Sequence, residues 1–214
     1  MRFLTGQQVA ASGLDGWAHL GNGLYTRAAT PDFATGLALV NAIGAAAEQA
    51  NHHPELTLHA THVDVAFVGR DRPGVGDRDV ALARTITDLA TAAGLTLDGG
   101  SVSRINLALD TPATPDVLPF WRSLLAYEDR PGAPMVRDPA GRLPSVWFQP
   151  SGADEPRQRW HLDVWVDPAQ VEPRIQACLA AGGRVVDDEH APAFWVLADA
   201  EGNRSCLATW QDRD

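Results

Sequence analysis

The sequence predicts an α+β protein of two domains with a boundary near residue 100. Three observations support this fold class. Helical and alternating hydrophobic stretches succeed one another within residues 1–97. A turn-forming run, Asp98–Ser101, then precedes a region that holds six of the seven tryptophans. Within that region a strand followed by a proline-initiated helix occurs twice, which predicts a duplicated domain over residues 103–214.

The composition excludes several functions. Hydrophobic residues make up 45% of the 214 residues, enough for two cores, and the formal net charge of -10 disfavours nucleic acid as a partner. Every basic residue is Arg, so a Schiff-base or P-loop lysine is excluded. Cys178 and Cys206 are too few for a disulfide framework. With no signal peptide or membrane-spanning run, we expect a cytoplasmic protein.

The first domain, residues 1–97, opens with a hairpin over Trp17–Tyr25, whose turn is Gly-Asn-Gly. A helix follows, with Thr30 as its cap and Pro31 at its first position, and Pro54 ends it. If residues 5–12 are also helical, a short helix comes first.

Extended chain over Leu56–Val68 comes next, with Val63, Val65 and Phe67 on one face. Residues 70–76 are predicted to form a loop. Asp77 is predicted to cap a second helix that Gly94 closes. The predicted order is therefore ββαββα.

The second domain repeats one pattern. Arg104–Asp110 and Trp160–Asp167 are predicted strands, and Pro115 and Pro168 open the helices that follow them. The sequence Pro-Ser-Val-Trp-Phe at 144–148 resembles Pro-Ala-Phe-Trp-Val at 192–196 in the second copy. We therefore predict two βαβββ modules.

Four of the seven histidines are close together in sequence: His52, His53, His59 and His62. Histidine exchanges protons near neutral pH, and two adjacent histidines in a turn can face one pocket. Glu48 precedes His52 by four residues and could bind an imidazole or a ligand amide. The alternatives are a solvated polar loop and, for His59 and His62, ordinary surface strand positions.

The segment Glu48-Gln-Ala-Asn-His-His-Pro54 resembles the signature of the pterin-4a-carbinolamine dehydratases. The resemblance extends over residues 4–93, and further matching residues share family-like spacing: Gly16-Trp17, Asp32-Phe33, Asn41, Val63, Gly74 and Arg78-Asp79. It implies a four-stranded antiparallel sheet with helices on one face. It also implies dehydration of a 4a-hydroxytetrahydropterin to a quinonoid dihydropterin, without a metal or organic cofactor.

On this resemblance His52 and His53 carry proton transfer, and Glu48, Arg70 and Asp79 bind the substrate. The chain departs from the family pattern at two places. Arg70 takes the place of a third histidine, and Ala60 replaces an aromatic residue. Arginine stays protonated and cannot act as a base. The activity therefore competes with an alternative, a non-catalytic protein that binds or senses a small aromatic molecule.

The second half resembles the glyoxalase/bleomycin-resistance group, over about residues 104–210. The matching segments are Leu107–Asp110, Phe120-Trp121, Asp138–Gly141, Trp147–Gln149, His161–Asp163 and Leu197–Asn203. Enzymes of that group hold a divalent metal on His and Glu side chains. The matching places here are Asn106, His161 and Cys206, a poor set for hard metals, so we expect no metal.

We instead expect a ligand pocket in the second domain, lined by Asn106, Trp147, His161 and Cys206. Trp147, Trp165 and Trp195 would form an aromatic cup for a flat heteroaromatic ligand. A metal-dependent lyase or dioxygenase is the alternative for this half. The expected partners are a small-molecule pterin substrate and further copies of the chain, as a homodimer or larger, with no nucleic acid and no membrane.

Overall fold

The computed structural model describes residues 2–68, 74–151, 160–198, 202 and 204–213. The chain divides into two compact units. Unit 1 comprises Met1–Ser103 with the segments Val166–Val171 and Thr209–Asp214, and unit 2 comprises Arg104–Trp165 and Glu172–Ala208. None of the helices in the described ranges combines the length and hydropathy that a membrane crossing requires.

Unit 1 contains the predicted hairpins and helices, preceded by a short helix. Its elements in chain order are α1 (Gly6–Ala10), β1 (Ala18–Leu20), β2 (Gly23–Ala29), α2 (Phe33–Ala50), β3 (Glu55–Leu58), β4 (His62–Phe67) and α3 (Asp77–Ala92). The four strands form one sheet in the order β1-β2-β4-β3, and every neighbouring pair is antiparallel. The predicted α+β class and antiparallel sheet are therefore confirmed.

The core of unit 1 lies between this sheet and the two long helices. Alternation along β4 buries Val63, Val65 and Phe67 and leaves His62 and Asp64 partly exposed. The helices contribute buried residues at helical spacing, which are Leu39, Ile43 and Ala47 from α2 and Val80, Ala83, Ile86 and Ala90 from α3. The core therefore places both helices on one face of the sheet.

The two long helices begin close to their predicted starts, α2 two residues later and α3 one residue earlier. The N-cap of α2 is Asp32, not Thr30, because its carboxylate accepts a hydrogen bond from the Thr35 N–H at 2.7 Å. The N-cap of α3 is Gly76, and Asp77 is the first helical residue. Gly94, with a φ of +71°, follows the end of α3 as predicted.

The turn-forming run at residues 98–101, near the predicted domain boundary, packs closely. A Cβ on Gly99 would lie 2.5 Å from the Ala18 nitrogen, so only glycine fits there without a backbone shift. The Asp98 N–H also donates to the Arg27 carbonyl at 2.8 Å. This run is therefore held against β1 and β2.

Unit 2 contains two copies of a βαβββ module. The first has β5 (Arg104–Thr111), α4 (Thr114–Leu125), β6 (Glu128–Asp129), β7 (Met135–Arg137) and β8 (Val146–Pro150). The second has β9 (Trp160–Trp165), α5 (Val171–Ala180), β10 (Arg184–Asp187), β11 (Phe194–Ala198) and β12 (Arg204–Ala208). A short 3-10 turn, Pro168–Gln170, precedes α5.

The strand order confirms the duplication. The sheet runs β10-β11-β12-β9-β5-β8-β7-β6, so each strand of one module has its counterpart at the mirrored place in the other. β5 and β9 pair antiparallel at the centre, and each pairs in parallel with the last strand of its own module. The predicted correspondence between residues 144–148 and 192–196 is wrong. The first segment leads into β8, the fourth strand of its module, whereas the second leads into β11, the third strand of the other module.

The two faces of this sheet differ in polarity. One face buries Leu109, Val146 and Phe148, against which Leu118 and Trp121 of α4 pack. The other face carries the polar residues of β5 and β9, which alternate with the apolar ones. The candidate residues of unit 2 lie on this polar face.

Candidate functional sites

The end of α2 positions the paired histidines of unit 1. Asn51, the C-cap, adopts the left-handed conformation with a φ of 43° and a ψ of 48°. The His52 N–H donates to the Ala47 carbonyl at 3.0 Å. The backbone therefore leaves the helix abruptly, and His52 and His53 take different surroundings.

His52 is buried and paired with Asp79. Its Nε2 lies 2.6 Å from Asp79 Oδ1, and the side chain of Asp79 is only 1% exposed. The other carboxylate oxygen of Asp79 accepts a hydrogen bond from the Gly76 N–H at 2.6 Å. The His52 ring also stacks on Phe67, with ring centroids 5.7 Å apart and planes 9° apart. The imidazole is therefore fixed by a helix start and by a core ring.

Arg78 ties the start of α3 to the turn that carries the histidines. Its Nη2 donates to the Ala50 carbonyl at 2.6 Å and to the Asn51 carbonyl at 2.8 Å. These are carbonyls at the C-terminal end of α2, where a cation is also favoured by the helix dipole. Arg78 thus holds the backbone before His52, and Asp79, the next residue, holds the His52 side chain.

His53 and Glu48 form a second pair, on the surface. The distance between His53 Nε2 and Glu48 Oε1 is 3.0 Å, and the two side chains are 56% and 80% exposed. The contact of Glu48 with an imidazole that the spacing predicted is therefore present. The two adjacent histidines have separate carboxylate partners, one buried and one exposed.

Arg70 lies outside the described residues. His59 and His62, which are close to His52 in sequence, have a different carboxylate partner. Their rings stack at 4.2 Å, and each Nε2 lies 3.8–3.9 Å from Asp64 Oδ2. Arg27 holds Asp64 through two hydrogen bonds of 2.6 and 2.8 Å, and this bonding to Asp64 raises the pKa of Arg27.

In unit 2, strand register brings the predicted pocket residues together. Asn106 on β5 is the partner of Asp163 on β9, and Asp163 is the partner of Cys206 on β12. Ala108 is the partner of both His161 and Trp147. Partners in a sheet share a face, so Asn106, Trp147, His161 and Cys206 all lie on the polar face.

His161 lies between two carboxylates on this face. Its Nδ1 is 3.7 Å from Asp110 Oδ1, and its Nε2 is 3.5 Å from Asp163 Oδ1. Trp147 Nε1 donates to Asp163 Oδ2 at 2.9 Å, and its ring meets the His161 ring edge-on. His161, Asp110 and Asp163 are all mostly buried, with side chains 15%, 25% and 17% exposed.

Two of these residues, Asp110 and Asp163, were absent from the pocket predicted from sequence. The sequence could have indicated Asp163, because His161 and Asp163 are two apart on a strand and so share a face.

Trp195 does not belong to the predicted aromatic cup. It is the partner of Leu207, which alternates with Cys206, and so lies on the opposite face. Trp165 does share the face of His161.

Two sets of side chains in the described ranges could hold a metal ion. They are His59, His62 and Asp64 in unit 1, and His161, Asp163 and Cys206 in unit 2. Within each set the potential ligand atoms all lie within 4.8 Å of one another. The first set already has an arginine on its carboxylate, whereas the carboxylate of the second is held by the neutral indole of Trp147.

Comparisons with known proteins place both units in families. Residues 3–89 match the family described as pterin 4 alpha carbinolamine dehydratase, and residues 106–208 match a glyoxalase-like domain. A protein of Thermomicrobium roseum, provisionally named pterin-4-alpha-carbinolamine dehydratase, is 32% identical over 78 residues, which are 36% of this chain and 84% of the relative.

A protein of Thermosynechococcus vestitus with the same provisional name is 35% identical over 83 residues, which are 39% of this chain and 87% of the relative. A crystal structure described as a transcriptional coactivator/pterin dehydratase from Brucella melitensis aligns with a TM-score of 0.40 and 26% identity, covering 42% of this chain and 99% of that one. The family match over residues 3–89 includes Glu48, His52 and Asp79. The chain therefore belongs to the pterin-4a-carbinolamine dehydratase family, and it carries a glyoxalase-like domain after the dehydratase region.

Proposed function

We propose that unit 1 catalyses the dehydration of a 4a-hydroxytetrahydropterin to a quinonoid dihydropterin. The observation that carries the proposal is the buried His52–Asp79 pair at 2.6 Å. The reaction breaks the C4a–O bond, so the hydroxyl must receive a proton to leave as water, and the ring must give one up. It therefore needs a general acid and a general base, and imidazole can serve as either near neutral pH.

In this proposal His52 is the base. The Asp79 carboxylate holds the Nε2–H, which leaves Nδ1 as the ring nitrogen that would accept the proton. A fixed carboxylate also stabilises the imidazolium that forms, as in other imidazole–carboxylate pairs. Arg78 and Phe67 add positional restraint, because proton transfer depends on a well-aligned hydrogen bond.

His53 is then the acid. Glu48 contacts its Nε2 at 3.0 Å, and its 56% exposure lets it recover a proton from water after each turnover. Arg70 would hydrogen-bond the pterin carbonyl, a role that a permanently protonated guanidinium can fill. Each proton passes between the substrate and an imidazole, and the released water carries away the oxygen of the 4a hydroxyl.

Stopped-flow absorbance of a chemically prepared 4a-hydroxytetrahydropterin tests this proposal. We expect turnover well above the buffer rate, and a loss of about 100-fold or more for His52→Ala and for His53→Ala. The matched control is His59→Ala, which alters a histidine of the same unit that pairs with Asp64. If folded wild-type protein gives no rate above buffer, or if His59→Ala loses as much as His52→Ala, the proposal is refuted.

We propose in addition that the polar face of unit 2 binds a small molecule. The cluster of Trp147, His161 and Asp163, in which His161 and Asp163 are mostly buried, supports this, with Asn106 and Cys206 on adjacent strands. It combines an aromatic ring with several polar groups, the usual composition of a ligand site. Should unit 1 prove inactive, binding or sensing becomes the leading function for both units.

A further inference from the structure

A group of polar side chains lies on the hairpin between β3 and β4, on the face of the sheet opposite the core of unit 1. His59 follows the end of β3, His62 begins β4, and Asp64 comes two residues later. Val63 and Val65 are the buried residues of β4, so His62 and Asp64 point away from the core. The His59 N–H donates to the His62 carbonyl at 2.9 Å, which places the two histidines opposite each other across the hairpin. One potential ligand atom from each of the three residues lies within 4.8 Å of the other two.

The two imidazoles face one oxygen of Asp64 at distances longer than a hydrogen bond. His59 Nε2 and His62 Nε2 lie 3.9 and 3.8 Å from Asp64 Oδ2, beyond the usual hydrogen-bond length of about 2.9 Å. Two ligands at about 2.1 Å from a tetrahedral zinc ion are separated by about 3.4 Å, so a shift of roughly half an ångström would suffice. The rings are stacked with centroids 4.2 Å apart, and each must turn its Nε2 edge toward a shared ion. Their exposed fractions of 46% and 23% leave room for this rotation.

Arg27 orients the carboxylate of this group. Its Nε donates to Asp64 Oδ1 at 2.6 Å and its Nη2 donates to Oδ2 at 2.8 Å. A carboxylate oxygen has two lone pairs, so the contact with Arg27 leaves one free on Oδ2, the oxygen that the histidines face. Carboxylates that bind a metal are commonly hydrogen-bonded by such outer partners. The guanidinium charge opposes a nearby cation, so we expect micromolar affinity, weaker than that of an enclosed zinc site.

We propose that His59, His62 and Asp64 bind one zinc ion, which stabilises the pairing of β3 with β4. β3 lies at the end of the strand order and contains only four residues. Two imidazoles with a carboxylate favour zinc over magnesium or calcium, which prefer oxygen ligands. An ion whose ligands come from both arms of the hairpin binds the folded hairpin and not the opened one, so it shifts that equilibrium toward the folded state. The sequence alone had left His59 and His62 open to interpretation as ordinary surface strand positions.

The proposed ion takes no part in the proposed dehydration. His52 stacks on Phe67, whose side chain is buried in the core, whereas His62 and Asp64 point out of the opposite face of the sheet. Chelator treatment should therefore leave the dehydratase rate unchanged. Zinc binding can also be measured whether or not unit 1 is active, so failure of one proposal is distinguishable from failure of the other.

Calorimetric titration of the chelator-treated, full-length protein with Zn²⁺ tests the proposal. The titration uses Cys206→Ser protein, because Cys206 belongs to the other potential ligand set in the described ranges. We expect one ion per chain in this background. Loss of a direct ligand in His59→Ala, His62→Ala or Asp64→Asn should weaken zinc binding by at least about 10-fold, the lower end of what removal of an outer partner costs.

NMR and amide exchange provide readouts that do not depend on the calorimetry. Zinc should shift the ring C–H resonances of His59 and His62 and slow the exchange of the β3 amides, and Asp64→Asn should reduce both effects. The matched control is His190→Ala, which alters a histidine that stacks on Phe194 and belongs to neither potential ligand set. This variant should bind zinc as the Cys206→Ser protein does. Millimolar magnesium should not displace the zinc.

Three results would overturn the proposal. The first is zinc binding that is only millimolar or weaker in folded Cys206→Ser protein. The second is a stoichiometric ion that a His59→Ala/His62→Ala protein retains. The third is zinc binding that shifts the resonances of other histidines and leaves those of His59 and His62 in place. If His62→Ala does not fold, His59→Ala still decides the question, because His59 lies beyond the end of β3 and is 46% exposed.

Discussion

The two units each place a histidine beside carboxylates, but at different distances. In unit 1, His52 Nε2 and Asp79 Oδ1 are 2.6 Å apart, and Asp79 also receives the Gly76 N–H at the start of α3. In unit 2, His161 lies 3.5 and 3.7 Å from its two carboxylates. The first contact has the length of a hydrogen bond, whereas the two contacts of His161 are longer than a usual hydrogen bond.

A histidine beside a carboxylate can therefore have different consequences in the two units. A short, buried pair whose carboxylate also caps a helix contributes to folding and sets which ring nitrogen can transfer a proton. A looser cluster on a sheet face contributes less to stability and remains available for binding. Stability and binding measurements on matched variants should therefore separate the two sites.

The largest expected effect is that of Asp79→Ala. The change leaves both the Gly76 N–H and the His52 imidazole without a buried partner, so we expect the free energy of unfolding to fall by about 3 kcal/mol. Asp163→Ala removes one partly exposed hydrogen bond from Trp147 and should cost about 1 kcal/mol or less. Urea unfolding with amide exchange read separately in α3 and β5 measures both. Equal losses would contradict the distinction between the sites.

A smaller effect is expected for Arg78→Ala, with Arg84→Ala as its control. Both arginines lie on α3 and donate to backbone carbonyls, Arg78 at the turn before His52 and Arg84 at Ser12. Because Arg78 positions the histidine turn, its loss should lower kcat by about 10-fold with a smaller change in KM. Arg84→Ala should leave kcat unchanged, and Arg78→Lys should recover part of it. A kcat unchanged in Arg78→Ala would assign Arg78 a purely structural role.

Periodicity and turn chemistry predicted most of the fold. The alternation of Val63, Val65 and Phe67 predicted the buried face of β4, and proline-initiated helices after two strands predicted the duplication. The start of α2 was displaced because more than one polar residue near it could have served as the cap. Which side-chain oxygen reaches a free N–H depends on backbone geometry, and this separates Asp32 from Thr30.

The sites were predicted less completely, because contacts between distant residues depend on register. The motif identified His52, His53 and Glu48, and the family resemblance identified Asp79. Nothing in the local sequence pairs Asp163 with Cys206, which is 43 residues away, until β9 and β12 are aligned. The register also removes Trp195 from the predicted cup, since a shift of one residue along a strand reverses the face.

A minor effect on stability is expected for Glu48→Gln. Glu48 and His53 are largely exposed, and exposed ion pairs contribute about 0–1 kcal/mol. The free energy of unfolding should change by less than about 0.5 kcal/mol. Dehydratase turnover should fall, because the His53 ring loses the carboxylate that orients it. Thermal unfolding and stopped-flow rates of the same sample provide the two readouts. A large loss of stability would show that the surface pair resembles His52 and Asp79 after all.

The smallest effects concern two carboxylates that accept backbone hydrogen bonds, one in each unit. Hydrogen bonding to the Thr35 N–H lowers the pKa of Asp32, and hydrogen bonding to the Ala140 N–H, with further N–H donors, lowers the pKa of Asp138, in both cases below the ordinary 3.8. Because each folded pKa lies below the unfolded value, the stabilisation is present above the unfolded pKa and is lost as pH falls through the folded pKa. Carboxyl NMR titration should give midpoints below 3.8 for both residues. Asp32→Asn and Asp138→Asn should keep the turns, since an amide oxygen can accept the same hydrogen bonds, yet reduce the dependence of stability on acid. A midpoint at or above 3.8 for either residue would mean that its hydrogen bonds are weaker in solution than their geometry indicates.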